Sequence, residues 1–344
     1  MAALPTEWVM AHPNFEEPDI ILQQNQASGA FETLAGGNPR TKIGPEDKYV
    51  YATRLDVRTR SKTGAAGGNM LPSCQVVPTK ISIPTYLQQC RAEYDHHDIA
   101  NANAWGINLP EAQRLAMRQA HFQGLRDRLL YGVNPGNGEG LLHANGATSI
   151  NLPQDPYGNT TASTYDPGSM ALFMVTQFSA TKTRTYQLGT PRKFTILGPQ
   201  RILSQFEYQG IVQLTTYQRA GAGTASVAKM TEDIATWNGD EVNWVYDDTL
   251  IGQGASFGAF ASTDVVLIVM PEIKVPRMSG INTNEFGKLT PGFNDCTVMY
   301  TDMAAPMEIP TPLAGGAIDI LSEMRASPGW GVRPEAITII NMPH

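Results

Sequence analysis

The residues with the strongest claim to chemistry form the turn Gly132-Val-Asn-Pro-Gly-Asn-Gly-Glu-Gly140. Glycine-rich loops of this kind cradle phosphate when a lysine follows and a helix opens behind them. Here Glu139 stands where the lysine belongs, and its carboxylate would repel phosphate. A dinucleotide loop follows a strand and opens a helix, whereas this turn follows a helical pattern. The residues therefore favour a tight multi-turn connector. The other reading, an enzyme that binds an anion at Gly136–Gly140, would be supported by nucleotide or phosphate binding to a soluble monomer.

Other constellations carry less. Glu93-Tyr-Asp-His-His-Asp98 has the residue types of a metal site, but adjacent histidines point to different sides of a helix or a strand. Asp247-Asp248 follows an apolar run and reads as the start of a turn. The runs Gly221–Ser226 and Gly252–Gly258 have no lysine near them and read as loops. Cys74, Cys90 and Cys296 form no CxxC pair and fit free thiols in a reducing compartment. Neither a Gly-x-Ser-x-Gly elbow nor a His-Glu-x-x-His pair is present. The expectation is no catalytic residue, no cofactor and no metal.

The element that positions the turn is a long helix over 109–131. Asn108 suits the N-cap and Glu111 the third helical position, with Pro110 in the first turn. Leu115, Phe122, Leu125 and Leu129 share one face, while Arg114, Arg118, His121 and Asp127 lie away from it. Gly124 marks close packing or a bend, and Gly132 ends the helix. At 1.5 Å per residue the rod spans roughly 34 Å.

Before it, residues 1–48 hold Pro5, Pro13, Pro18, Pro39 and Pro45, and only Ile20 to Leu34 could be helical. They read as an extended arm that needs another surface. Tyr49 to Arg60 alternates as a strand, a glycine-rich tip follows over Ser61–Asn69, and Val76 to Ile83 returns. This predicts a long hairpin, with Pro78 and Pro84 suited to an edge. Arg40 to Lys62 carries +4, leaving −11 on the rest of a chain whose net charge is −7. Two readings of that basic ribbon stay open: docking on the acidic body of a neighbouring copy, or a charged edge that blocks aggregation.

After the turn, 143–167 reads as a loop and Ser169–Tyr186 as a helix with Leu172, Val175, Thr176 and Ser179 on one face. Strands are expected at Lys193–Leu197, Glu241–Tyr246, Val265–Met270 and Ala336–Ile340. A helix opens at Pro199 and runs through Phe206, and Met299–Ser327 reads as proline-broken extended segments. Helices and strands mix without strict alternation, which indicates an α+β fold.

Composition agrees with a chain that meets other protein. Of 344 residues only 17% are charged, 42% are hydrophobic, and there are 32 Gly and 24 Pro. The acidic balance argues against a dedicated nucleic-acid binder. The first ten residues lack a secretory pattern, and no apolar run is long enough to span a bilayer, so no membrane contact is expected.

The order of arm, hairpin, long helix ending Leu129-Leu-Tyr-Gly132, and Gly136-Asn-Gly-Glu-Gly-Leu141 resembles the major capsid proteins of tailed bacteriophages, the Hong-Kong-ninety-seven type fold shared with encapsulins. Phe194-Thr-Ile-Leu-Gly-Pro-Gln-Arg-Ile-Leu203 and Gly331-Val-Arg-Pro-Glu-Ala-Ile-Thr-Ile-Ile340 are similar to the family's strand-Pro-helix unit and closing strand. The segment from Gly210 to Asn294 matches least. The resemblance implies an N-terminal arm over 1–48, an E-loop hairpin over 49–95, a peripheral domain over 96–165 and 271–325 built on the spine helix, and an axial domain over 166–270 and 326–344. It implies a non-enzymatic shell protein that assembles through pentamers and hexamers into an icosahedral head around double-stranded DNA, located in the virion and built in the host cytoplasm. Inter-subunit contacts would fall on Arg54, Arg58, Arg60 and Lys62. Helix packing would use Leu115, Phe122, Leu125 and Leu129, and the turn into the rest of the domain Gly132, Gly136, Gly138 and Gly140. With 48 residues before the hairpin, a scaffold would be a separate protein. A portal and a decoration protein are further partners that the resemblance allows, with DNA contacted non-specifically. Within the same fold the alternative is an encapsulin-type compartment. The lysine–asparagine cross-link of some members is not carried over to Lys62.

Overall fold

A computed structural model describes residues 34, 41–58, 75–104, 106–187, 191–211, 225–254, 263–273, 296–303, 305–313 and 315–344. In chain order the strands are β1 (Thr41–Lys42), β2 (Tyr49–Arg58), β3 (Gln75–Pro84), β4 (Tyr86–Tyr94), β5 (Thr148–Asn151), β6 (Lys193–Gly198), β7 (Gly210–Ile211), β8 (Ala225–Ser226), β9 (Glu241–Tyr246), β10 (Thr263–Val269), β11 (Val298–Met299), β12 (Thr301–Asp302), β13 (Met307–Pro312), β14 (Ile318–Ala326), β15 (Trp330–Gly331) and β16 (Ile337–Pro343). The helices are α1 (His96–Ala104), α2 (Leu109–Tyr131), α3 (Pro167–Arg184), α4 (Gln200–Tyr208) and α5 (Val227–Trp237).

One five-stranded sheet has the order β5-β16-β10-β6-β9. Its middle strand β10, Thr-Asp-Val-Val-Leu-Ile-Val, is buried at every position because both faces are covered. Val266 and Ile268 join Met170, Met174 and Phe178 of α3 on one face. Val265, Leu267 and Val269 join Leu125 and Leu129 of α2 on the other. A second five-stranded sheet runs β1-β12-β14-β13, with β4 paired along the whole of β14 from Tyr86↔Ala326 to Tyr94↔Ile318.

β2 and β3 form an antiparallel hairpin from Tyr49↔Pro84 to Arg58↔Gln75. Only Thr85 separates β3 from β4, so the hairpin continues directly into the second sheet. The strand expected to reach Arg60 is described to Arg58. Arg60, Lys62 and the glycine-rich tip lie outside the described residues, as does most of the arm. Leu34, within the arm, is buried in the same cluster as Leu125 and Leu129, and Thr41–Lys42 pairs in parallel with Thr301–Asp302.

Several expectations change. Asn108 caps α2 without a side-chain hydrogen bond, and Glu111 pairs weakly with Arg114 at 3.9 Å instead of reaching back. Leu115, expected on the packing face, is 55% exposed, and His121, expected off it, is 1% exposed. The inward face is set by Met117, His121, Leu125, Leu129 and Leu130, with Phe122 half-buried beside them. In α3 the buried face is Met170, Ala171, Met174, Gln177, Phe178 and Thr181, not the one through Leu172, which is exposed. The buried hydroxyl of Thr181 bonds Gln177 O and Thr338 Oγ1, so burial there follows hydrogen bonding as well as apolarity. Two helices, α1 and α5, stand where none was expected. α1 buries no side chain and so carries no apolar stripe. α5 opens at Ser226, whose hydroxyl accepts from Lys229 N.

Candidate functional site

The turn after α2 is built on backbone that admits no side chain. Gly132 ends the helix at φ 68°, and its N–H donates to Arg128 O at 3.0 Å. A Cβ on Gly132 would lie 2.5 Å from Glu139 O, and one on Gly140, at φ +81°, would lie 2.5 Å from Gly132 N. The two glycines therefore cross each other at backbone distance. A third strand of chain closes the contact. Gly329 N donates to Arg128 O at 3.1 Å, and Gly140 N donates to Gly329 O at 2.8 Å. A Cβ on Gly329 would be 2.4 Å from Leu129 O. Gly329 was not singled out from sequence, since an isolated glycine more than 180 residues away carries no local signal. Gly138 is also left-handed at φ 77°. Gly136 is different: a Cβ there would meet only Asn134 Oδ1, at an ordinary 3.5 Å.

Glu139 is the polar centre of this elbow. It is 5% exposed. Its Oε1 accepts from Tyr86 Oη at 2.9 Å and its Oε2 from Asn134 N at 2.9 Å. Burial, then the bond to Glu139, pushes the Tyr86 phenol up to about 12. A buried, doubly engaged carboxylate in the loop opposes anion binding there. The glutamate thus ties the turn to the first residue of β4, where the hairpin enters the sheet.

α2 rests on β4 and β14 through a second polar cluster. His121 Nε2 lies 3.0 Å from Ser322 Oγ and 3.3 Å from Cys90 Sγ. Burial, then the nearby Arg128 charge, lowers the His121 pKa, and burial raises that of Cys90. Gln88 donates to Ala120 O at 3.1 Å, passing so close to Gly124 that a Cβ there would sit 2.0 Å from Gln88 Nε2. Close packing, one of the two readings of Gly124, is what the structure contains.

Arg54 and Arg58 lie on β2, opposite Thr79 and Gln75. The described hairpin leaves large surfaces open: Tyr49, Tyr51, Val76 and Val77 are 56%, 67%, 54% and 45% exposed. Because Val76 and Val77 are adjacent on one strand, both faces of the ribbon are open there. At its base, Ile83 is buried against Met299 and Trp330, with Ala52 and Ile81 packed on them.

Among the described residues no group of three His, Cys, Asp or Glu side chains could hold a metal ion. Asp95 and Asp98 instead accept from each other's backbone N–H at the start of α1. Asp247 starts a turn, accepting from Thr249 N at 3.0 Å. No helix among the described residues is long and apolar enough to cross a membrane.

No protein-family profile and no curated protein matches the chain. Among solved structures, the capsid of Myoviridae phage XM1 is similar at a TM-score of 0.62 and 10% identity, covering 95% of this chain and 96% of that one. The capsid of cyanophage P-SCSP1u is similar at 0.56 and 12%, covering 97% and 93%. The capsid of an empty GTA particle is similar at 0.55 and 11%, covering 100% and 99%. The chain has the fold of these capsid proteins along nearly its whole length.

Proposed function

We propose that this chain is a major capsid protein. It self-assembles through pentamers and hexamers into an icosahedral shell around the double-stranded DNA of a tailed phage, is not an enzyme, and resides in the virion after assembly in the host cytoplasm. The observation that carries this reading is the hairpin. Its outer half is open on both faces, and a two-stranded ribbon alone is marginal in water. A shell supplies the missing surface from neighbouring copies. The near-complete coverage of capsid chains by the fold supports the same conclusion.

In this reading residues 1–48 are the arm and 49–95 the hairpin. Residues 96–165 and 271–325 form a peripheral domain and 166–270 and 326–344 an axial one, with β5 crossing into the axial sheet. Arg54, Arg58, Arg60 and Lys62 dock on the acidic surface of an adjacent copy. Packaged DNA is held loosely by a chain of net charge −7. A separate scaffolding protein, a portal and a decoration protein complete the particle.

Negative-stain microscopy of the expressed chain tests the assignment. Uniform shells, or rings of five and six, are the expected images, and a monodisperse monomer would sink it. Arg58→Glu with Arg60→Glu should abolish assembly. Particles of normal yield and salt sensitivity would remove the docking role of these residues.

A further inference from the structure

Among the described residues β1 is the outermost strand of its side of the second sheet, and it is two residues long. Thr41 and Lys42 pair with Thr301 and Asp302, and Ile43 N donates to Asp302 O at 3.0 Å. Beyond that point a separate set of bonds holds the chain. Arg325 Nε donates to Pro45 O at 2.7 Å, Thr85 Oγ1 to Asp47 O at 2.5 Å, and Thr85 N to Lys48 O at 2.9 Å. Gly44 and Pro45 therefore mark the boundary between a short ladder and a firmly bonded hairpin base.

Asp302 meets this ladder from the inside. Opposed residues on neighbouring strands share a face, so Lys42, Asp302, Ala326 and Tyr86 form one row across β1, β12, β14 and β4. Asp302 is 7% exposed, and its Oδ1 has no hydrogen-bond partner among the described residues. The inner end of the row gives its charge nothing. Ala326 has no polar side-chain atom, and Tyr86 turns its hydroxyl to Glu139 while Arg128 of α2 donates to Tyr86 O. Burial, then the Asp302 charge, keeps the neighbouring Tyr300 phenol neutral. At the outer end Lys42 is exposed, and its ammonium draws on Asp302. Burial outweighs that pull and raises the carboxyl to about 6. A carboxylate formed in a dry site needs water, and the path to water leads past β1. We propose that Asp302 makes the attachment of the N-terminal arm to its own sheet proton-dependent. With the carboxyl neutral β1 stays seated; with it ionised β1 swings away at Gly44–Pro45 and admits water, while the hairpin base keeps its bonds. The device belongs to the subunit itself and does not depend on assembly.

Amide hydrogen exchange on the full-length chain, corrected for the intrinsic rate at each pH, tests this. It compares Ile43 N with Thr85 N, which lie on the two sides of the Gly44–Pro45 boundary. A carboxyl that titrates near 6 when β1 is seated and near its ordinary value when β1 is open favours opening as pH rises, and the effect levels off above the higher value. Protection of Ile43 should therefore fall about tenfold between pH 5 and pH 8, with Thr85 unchanged. Asp302→Asn, which keeps the shape and cannot ionise, should hold Ile43 protection level over that range. Protection at Ile43 that ignores pH overturns the proposal, as does an equal fall at Thr85 or a pH dependence that survives in Asp302→Asn. The comparison within the parent chain stands even if the variant does not fold.

Discussion

The elbow and the hairpin meet at Tyr86, and they are finished in opposite ways. In the elbow Gly132, Gly140 and Gly329 interlock through backbone hydrogen bonds, and the buried carboxylate of Glu139 has partners on both oxygens. In the hairpin the outer half exposes Val76 and Val77, one on each face. The contrast separates what one chain can complete from what it must obtain elsewhere. A backbone seam has one geometry and no tolerance, so it is closed within the subunit. An apolar ribbon tolerates variation in its cover, and in the proposed shell a neighbouring copy supplies it.

The largest test of that contrast is at the seam. Gly140→Ala places a methyl 2.5 Å from Gly132 N at a left-handed φ, and should lower unfolding stability by about 3–4 kcal/mol in denaturant titrations. Gly136→Ala, four residues earlier, should stay within about 1 kcal/mol of the parent. Equal losses at both positions would show that the elbow is not the tight seam described.

Asp302, where the arm strand β1 meets the second sheet, belongs with the unfinished regions. Its Oδ1 is buried without a hydrogen-bond partner among the described residues, and burial lifts its pKa from 3.8 to about 6. The unfolded chain therefore ionises first. The cost to the folded state is absent below pH 3.8, grows as pH rises to about 6, and is constant above. Asp302→Asn should stabilise the subunit by up to about 3 kcal/mol at pH 8 and by nothing at pH 3.5. A pH-independent difference between the two proteins would refute this.

Glu139→Gln should cost about 2 kcal/mol, because two charge-assisted bonds lose strength together. Tyr86 should then titrate nearer the ordinary phenol range in ultraviolet absorbance. An unchanged tyrosine titration would mean that Glu139 does not hold the hairpin base. The smallest effect belongs to the ribbon. Tyr51→Ser should leave subunit stability within about 0.5 kcal/mol while lowering particle yield, as counted in micrographs. A large loss of subunit stability would place Tyr51 inside its own chain's fold.

Sequence reading succeeded where one chemical property dominated. The alternation that starts at Tyr49 revealed the first strand of the hairpin, and the apolar run Val265–Met270 revealed a strand, while its burial on both faces came only from the structure. It failed where burial and apolarity part. His121 is buried through Ser322 and Cys90, and Leu115 is exposed on the same helix. Thr181 and Gln177 line the inner face of α3 while Leu172 faces outward. Of the elbow, Gly132, Glu139 and Gly140 were legible as a local pattern. Gly329 was not, because its role comes from a long-range crossing that no neighbouring residue announces.

β3 and β4, parted by Thr85 alone, amount to one extended beam about 65 Å long at ~3.3 Å per residue. One half is hydrogen-bonded along β2 and the other along β14. Load applied to the hairpin half travels without an intervening loop to Tyr86. There it enters the elbow through Glu139 and the long helix through Gln88. A chain so wired can report a displacement of its hairpin at the far side of its own sheet.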